Sequence, residues 1–114
     1  QGEILLIRGN LGAGKTTFVQ TFIQTLGKNV HVDSPTFSVQ NIYDEGLYHY
    51  DIYRKSLAEL TTLGIIEEFD KQGWHFVEWG SDEFGTILHT WGYSYVTIDI
   101  DFTPKGRYVT INYA

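Results

Sequence analysis

The sequence predicts a single α/β domain in which a mixed β-sheet is flanked by helices. Three observations predict it. A continuous apolar run, Glu3-Ile4-Leu5-Leu6-Ile7, ends at Gly9, and an amphipathic stretch from Gly14 to Leu26 follows directly. A second apolar run spans Trp74 to Trp79, and the C-terminal tail alternates with period two. Continuous apolar runs suit parallel strands covered on both faces, whereas alternation suits antiparallel strands with one wet face. The chain has 114 residues, 42% hydrophobic, which is the size and content of one core.

Each element has its own local reason. Phe18, Val19, Phe22, Ile23 and Leu26 share one helical face, Gly27 supplies a stop and Lys28 a favourable charge near the C-terminal end. Val30 to Val32 reads as a short strand. Ser34-Pro35 signals a loop. Thr36 to Tyr43 and Leu47 to Tyr53 are β-rich runs joined by Asp44-Glu45-Gly46 as a hairpin. Ser56-Leu57-Ala58-Glu59 has capping-box spacing and starts a helix, which Gly64 breaks before a second short helix, Ile65 to Phe69. Ser81-Asp82-Glu83 starts another, leading to Ile87, Leu88 and Trp91. In the tail, Val96, Ile98, Ile100 and Phe102 face one way, opposite Thr97, Asp99 and Asp101. Thr103-Pro104-Lys105-Gly106 turns the chain back into Arg107 to Tyr113.

The bulk numbers exclude some functions. A net charge of −6 repels nucleic acid, so direct reading of DNA or RNA is not expected. A single anionic nucleotide needs only a few local donors. With no cysteine, disulfides, thiolate metal sites and cysteine catalysis are excluded, which suits a reducing cytoplasm. No apolar run approaches the roughly 20 residues that span a bilayer. The chain begins almost on its first strand, so a leading segment is expected upstream.

Gly9-Asn10-Leu11-Gly12-Ala13-Gly14-Lys15-Thr16 fits G-x-x-x-x-G-K-[ST] between an apolar strand and an amphipathic helix. Glycines let the backbone curl so that its N–H groups face phosphate oxygens, and the helix presents its positive end to the same anion. Lys15 is expected on the β- and γ-phosphates and Thr16 on Mg²⁺. The expected ligand is therefore ATP or ADP with Mg²⁺.

Hydrolysis needs a carboxylate near the metal and a group that orients water. Glu78 ends the apolar strand at the sheet edge where such acids sit; the alternative is a solvated strand-end carboxylate. Asp51 lies in Tyr48-His49-Tyr50-Asp51-Ile52-Tyr53; the alternative is an outward residue paired with Arg54 or Lys55. Spacing does not decide which acid touches the metal. We place Glu78 near Mg²⁺, directly or through water, and Asp51 in the second role. His49 and His75 are candidate polar ligands but read more simply as ordinary strand histidines, and Tyr43, Tyr48, Tyr50 and Tyr53 could offer a stacking surface but read more simply as packing residues. Trp79 is the exception because it follows the proposed acid.

Gly9 to Thr17, Ser34-Pro35-Thr36-Phe37, His49-Tyr50-Asp51-Ile52-Tyr53-Arg54, Leu63-Gly64 and Val77-Glu78-Trp79 occur in that order. This series resembles the TsaE (YjeE) family, the bacterial ATPase of threonylcarbamoyladenosine (t6A) tRNA modification. The resemblance covers nearly the whole chain. It implies a P-loop NTPase fold over residues 1–114, ATP with Mg²⁺, and a cytoplasmic role with TsaB and TsaD. Those partners use threonylcarbamoyl-adenylate to modify the adenosine beside the anticodon, with ATP hydrolysis supporting repeated turnover and tRNA met only indirectly. It implies that Lys15, Thr16 and Thr17 belong to the P-loop and that Ser34-Pro35-Thr36 forms a switch-like loop near the γ-phosphate. Asp51 and Glu78 would be the two functional acids, and Trp79 the family's tryptophan. The chain departs from the family in lacking a strand and helix before the P-loop strand, and in carrying Gly80 where proline is common.

Two rival activities remain. A small-molecule or nucleoside kinase needs a second pocket and several arginines, and this chain has Arg8, Arg54 and Arg107. A GTPase would use Asp82-Glu83-Phe84-Gly85 as D-x-x-G, yet no N-K-x-D tetrad is present. A third reading, a nucleotide-responsive binding module, lies close to the main one, because no obvious arginine finger is supplied in cis. Isolated protein is therefore expected to hydrolyse ATP slowly.

Overall fold

A computed structural model describes residues 3–10, 14–33, 35 and 39–113, without the side chains of Phe102 and Arg107. The elements are β1 (Glu3–Arg8), α1 (Lys15–Thr25), β2 (Gln40–Asp44), β3 (Leu47–Asp51), α2 (Leu57–Thr62), α3 (Ile65–Glu68), β4 (Trp74–Glu78), α4 (Asp82–Thr90), β5 (Val96–Thr103) and β6 (Gly106–Tyr113). Among the described residues they form one six-stranded sheet in the order β2-β3-β4-β1-β5-β6. Strands β3, β4, β1 and β5 run parallel, and the antiparallel strands β2 and β6 close the two edges. This is the expected mixed α/β sheet in the strand–loop–helix arrangement of P-loop NTPases.

Period two sorts the strand residues onto two cores. Leu5 and Ile7 of β1, Phe76 of β4, and Ile98 and Ile100 of β5 face α1, where they meet Val19 and Ile23. Ile4, Leu6, Tyr50 and Val77 face the other way, against Leu60 of α2, Ile65 and Ile66 of α3, and Phe84 and Leu88 of α4. At 11 residues α1 is too short to be stable alone. Complete burial of Val19 and Ile23, worth about 1.5–3 kcal/mol each, holds it on the sheet.

The capping box at Ser56 forms as expected, with Ser56 Oγ accepting from Glu59 N and the Glu59 carboxylate accepting from Ser56 N. Gly64 adopts φ 72 between α2 and α3, and Gly27 φ 84 after α1. Ser81 caps α4.

Two expectations need correction. Val30 to Val32 is not a strand: the Gln20 side chain donates to Val30 O and accepts from Val32 N, satisfying groups that a neighbouring strand would otherwise pair. Of the run expected over Thr36 to Tyr43, Gln40–Asp44 forms β2, while residues 36–38 lie outside the described residues. Strand β3 stops at Asp51, whose side chain accepts from Tyr53 N and turns the chain toward Arg54 at φ 57.

Candidate phosphate-binding and catalytic site

The N-terminus of α1 differs from those of α2 and α4. Ser56 and Ser81 spend side-chain oxygens on first-turn N–H groups, and acids lie in both first turns. Helix α1 has Gly14, φ 101, at its N-cap position, with no side-chain cap and no acid in its first turn. Its leading N–H groups and positive dipole end are thus left to an anion. The first turn itself carries Lys15 and Thr16.

Lys15 is only 6% exposed. Its ammonium donates to Gly9 O at 2.8 Å and Asn10 O at 3.1 Å, and lies 3.9 Å above the centre of the Trp79 ring. Burial pulls its pKa below the ordinary lysine value, while the charges of Glu78 and Asp51 push back. Trp79 reaches the ammonium because its backbone is left-handed, φ 69, while its N–H bonds Ile7 O at 3.1 Å. The Tyr53 ring backs Trp79 at 4.5 Å.

Sheet register brings the acids to the same place. Glu78 pairs with Ile7 of β1 on one side and Asp51 of β3 on the other. Glu78 shares the parity of Phe76, and Asp51 that of Leu47, so both acids lie on the α1 side. Glu78 is 3% exposed, which rules out a solvated strand-end role. Its Oε2 accepts from Thr16 Oγ1 at 2.9 Å. Asp51 is half-buried and one strand away. Thr17 is exposed beside the loop. Leu11, Gly12, Ala13, Ser34, Thr36 and Phe37 lie outside the described residues.

The two strand histidines divide. His75 is fully buried, with Nε2 donating to Lys71 O at 2.8 Å and Nδ1 accepting from Tyr50 Oη at 2.6 Å, and has a packing role. His49 is equally buried, but its Nε2 lies 2.5 Å from Glu78 Oε2 and its Nδ1 lies 2.6 Å from Tyr43 Oη. Reading His49 as an ordinary strand residue and Tyr43 as a packing ring therefore missed their place beside the acid. The available signal was parity: Leu47, His49 and Asp51 alternate onto one face.

The rival motifs fare differently. Asp82 of the D-x-x-G match is 93% exposed and bound to Arg8, and Gly85 lies under the Tyr95 ring, so that tetrapeptide is a helix turn. At Gly80 a Cβ would lie 2.9 Å from Leu6 Cδ2, so Leu6 occupies the space. Among the described residues, no helix is long and apolar enough to cross a membrane.

A family model described as threonylcarbamoyl adenosine biosynthesis protein TsaE matches residues 1–109. The chain belongs to the TsaE family. It is 46% identical over 81 residues to the Bacillus subtilis (strain 168) protein named tRNA threonylcarbamoyladenosine biosynthesis protein TsaE, covering 68% of this chain and 51% of that one. The Synechocystis protein of the same name is 43% identical over 76 residues, 64% of this chain and 45% of its own. The Haemophilus influenzae namesake is 29% identical over 112 residues, 95% of this chain and 68% of its own. The chain spans about half the length of the first two relatives.

The donor set fits a magnesium nucleotide. Among the described residues no cluster of three acids or histidines could hold a metal alone. Magnesium bound with a nucleotide usually takes only one or two protein oxygens, the rest coming from phosphate and water. Thr16 and Glu78 meet that requirement.

Proposed function

We propose that this TsaE-family chain binds ATP with Mg²⁺ and hydrolyses it in the cytoplasm in support of t6A modification of tRNA, together with TsaB and TsaD. One observation carries the reading. The uncapped start of α1 presents Lys15 and Thr16, and Thr16 is hydrogen-bonded to the buried acid Glu78.

The residues divide the work. The backbone from Gly9 to Gly14 and the first turn of α1 receive the phosphates, and Lys15 leaves its carbonyl partners to neutralise the β- and γ-oxygens. Thr16 and Glu78 would hold Mg²⁺, Glu78 directly or through water, and the ion would supply charge neutralisation for the bound polyphosphate. Asp51, one strand away, orients the attacking water. Ser34 and Thr36 contact the γ-phosphate side, and Trp79 lines the pocket once Lys15 has turned away.

Arg8 is committed to Asp99 at 2.8 Å and to Asp82, so it does not serve the transferring phosphoryl group. A docked partner supplies the missing cation or orders the loop, and the free protein is slow. The acidic surface leaves tRNA to the partners.

The test is calorimetry of ATP and ADP with Mg²⁺ on the full-length protein, followed by hydrolysis with and without TsaB and TsaD. Absence of nucleotide uptake would end the reading. Equal turnover by free protein and complex would end partner dependence.

One observation favours a small-molecule or nucleoside kinase as the second reading. A cleft of about 320 Å³, lined by Ile52, Lys55, Leu57, Leu60, Trp79 and Phe84, adjoins the site. ADP release that depends on a small acceptor, without partner proteins, would select the kinase.

A further inference from the structure

We infer that Tyr43 and His49 form a positioning bridge that fixes Glu78 and couples it to the chain at Asp33, immediately before the Ser34-Pro35-Thr36 loop. The inference rests on the proposed ATPase reading and adds two residues to it.

Four separate pieces of chain supply one row of hydrogen bonds. Glu78 Oε2 on β4 meets His49 Nε2 on β3 at 2.5 Å. His49 Nδ1 meets Tyr43 Oη on β2 at 2.6 Å. Tyr43 Oη donates to Asp33 O at 2.5 Å, and Asn41 Nδ2 donates to the same carbonyl at 3.1 Å. The Asp33 carbonyl can only accept, so the Tyr43 hydroxyl proton serves it, and His49 Nδ1 faces the same hydroxyl oxygen. Both imidazole nitrogens are thus engaged in a ring with no exposure to water. Such a ring holds one orientation, and with it the carboxylate oxygen that also accepts from Thr16.

His75 shows what a purely structural histidine in this sheet looks like. One strand over and just as buried, it ends on a backbone carbonyl and a tyrosine, and touches no carboxylate. The His49 row instead has the acid at one end and the loop-flanking carbonyl at the other. A displacement of Asp33 O is therefore passed through three hydrogen bonds and a rigid imidazole ring to Glu78. The physical element of coupling is a short chain of buried polar contacts, each with few alternative partners.

The experiment uses full-length protein carrying Tyr43→Phe, His49→Gln, both together, and His49→Leu. The phenyl ring keeps the packing of Tyr43 while removing its two contacts. Expected are a fall in kcat for ATP hydrolysis of about 5- to 10-fold for Tyr43→Phe with ADP affinity within about twofold of the parent, and a double variant no slower than His49→Gln alone. His49→Gln, which retains a nitrogen donor, should keep more activity than His49→Leu. Fully multiplicative losses, or unchanged kcat in an active parent, would overturn the bridge.

An arm independent of activity uses ¹⁵N-histidine-labelled protein. Tyr43→Phe should shift the Nδ1 resonance of His49 and leave that of His75 in place. If His49 does not respond, the bridge fails. If it responds in a protein that takes up no nucleotide, the bridge stands as geometry and the ATPase reading fails instead.

Discussion

The Thr16 hydroxyl donates to the Glu78 carboxylate at 2.9 Å across 62 positions of sequence, joining the first turn of α1 to the end of β4. Parallel pairing of β1 with β4 makes the meeting possible. Ile7 sits opposite Glu78, and α1 packs on the same face of the sheet through Val19 and Ile23.

Lys15→Ala removes the ammonium that we place on the β- and γ-phosphates. Charge-assisted contacts are worth about 1.5–3 kcal/mol each, and two are at stake, so ATP affinity should fall about 100-fold or more. The melting temperature should stay within a few degrees, because the lost partners are two loop carbonyls and the face of Trp79. Calorimetry and thermal melts check both. Near-parental ATP affinity would remove Lys15 from the site.

Glu78→Gln keeps the size of the side chain while removing its charge. ADP affinity should change by less than about fivefold while hydrolysis falls about 100-fold, since we place the acid on the metal and water more than on the nucleotide. Parental turnover would strike Glu78 from the catalytic set.

His75 should make stability depend on pH. Its two hydrogen bonds suit the neutral ring, and burial lowers its pKa from the usual 6.5. Below about pH 6.5 the unfolded chain binds this proton and the folded chain does not. Stability is therefore whole above that pH and declines as pH falls, by at most about 1.4 kcal/mol per pH unit. Urea unfolding of His75→Gln should show a shallower decline between about pH 6.5 and 5.5 than the parent. Equal slopes would exclude His75 as the cause.

Gly73→Ala should be among the most damaging small changes. Gly73 has φ 130, and a Cβ there would lie 2.3 Å from Gly46 O and 2.5 Å from Gly46 Cα. Both obstacles are backbone, and both strand entries depend on them: Trp74 N donates to Gly46 O, and Glu3 N donates to Gly73 O. A loss of about 3 kcal/mol or more is expected in denaturant unfolding. A loss under about 1 kcal/mol would mean that the hairpin can move aside.

Much of the fold was legible along the chain because its signals are local. Ser56 with Glu59, Gly64 and Ser81 announce helix ends through contacts within four residues. The apolar runs at Ile4–Ile7 and His75–Val77 announce buried strands through continuity alone. Val30 to Val32 misled because its β-branched residues suit a strand, yet the partner that satisfies them is the side chain of Gln20, and no local pattern reveals that. Glu78 was legible as a candidate because it ends an apolar strand, and Asp51 because a β-rich run has little use for a charge. His49 was not, because histidine on a buried face has many uses and only its neighbour decides among them.

Sequence alone determined the phosphate-loop motif, the two candidate acids, and membership of a family through an ordered series of short motifs, since each rests on residue type and spacing. Tertiary structure alone decided that Glu78 is buried against Thr16 and His49, that the Trp79 ring faces Lys15, and that Tyr43 ties the row to Asp33. Those relations come from strand order and register, which bring distant residues within hydrogen-bond reach.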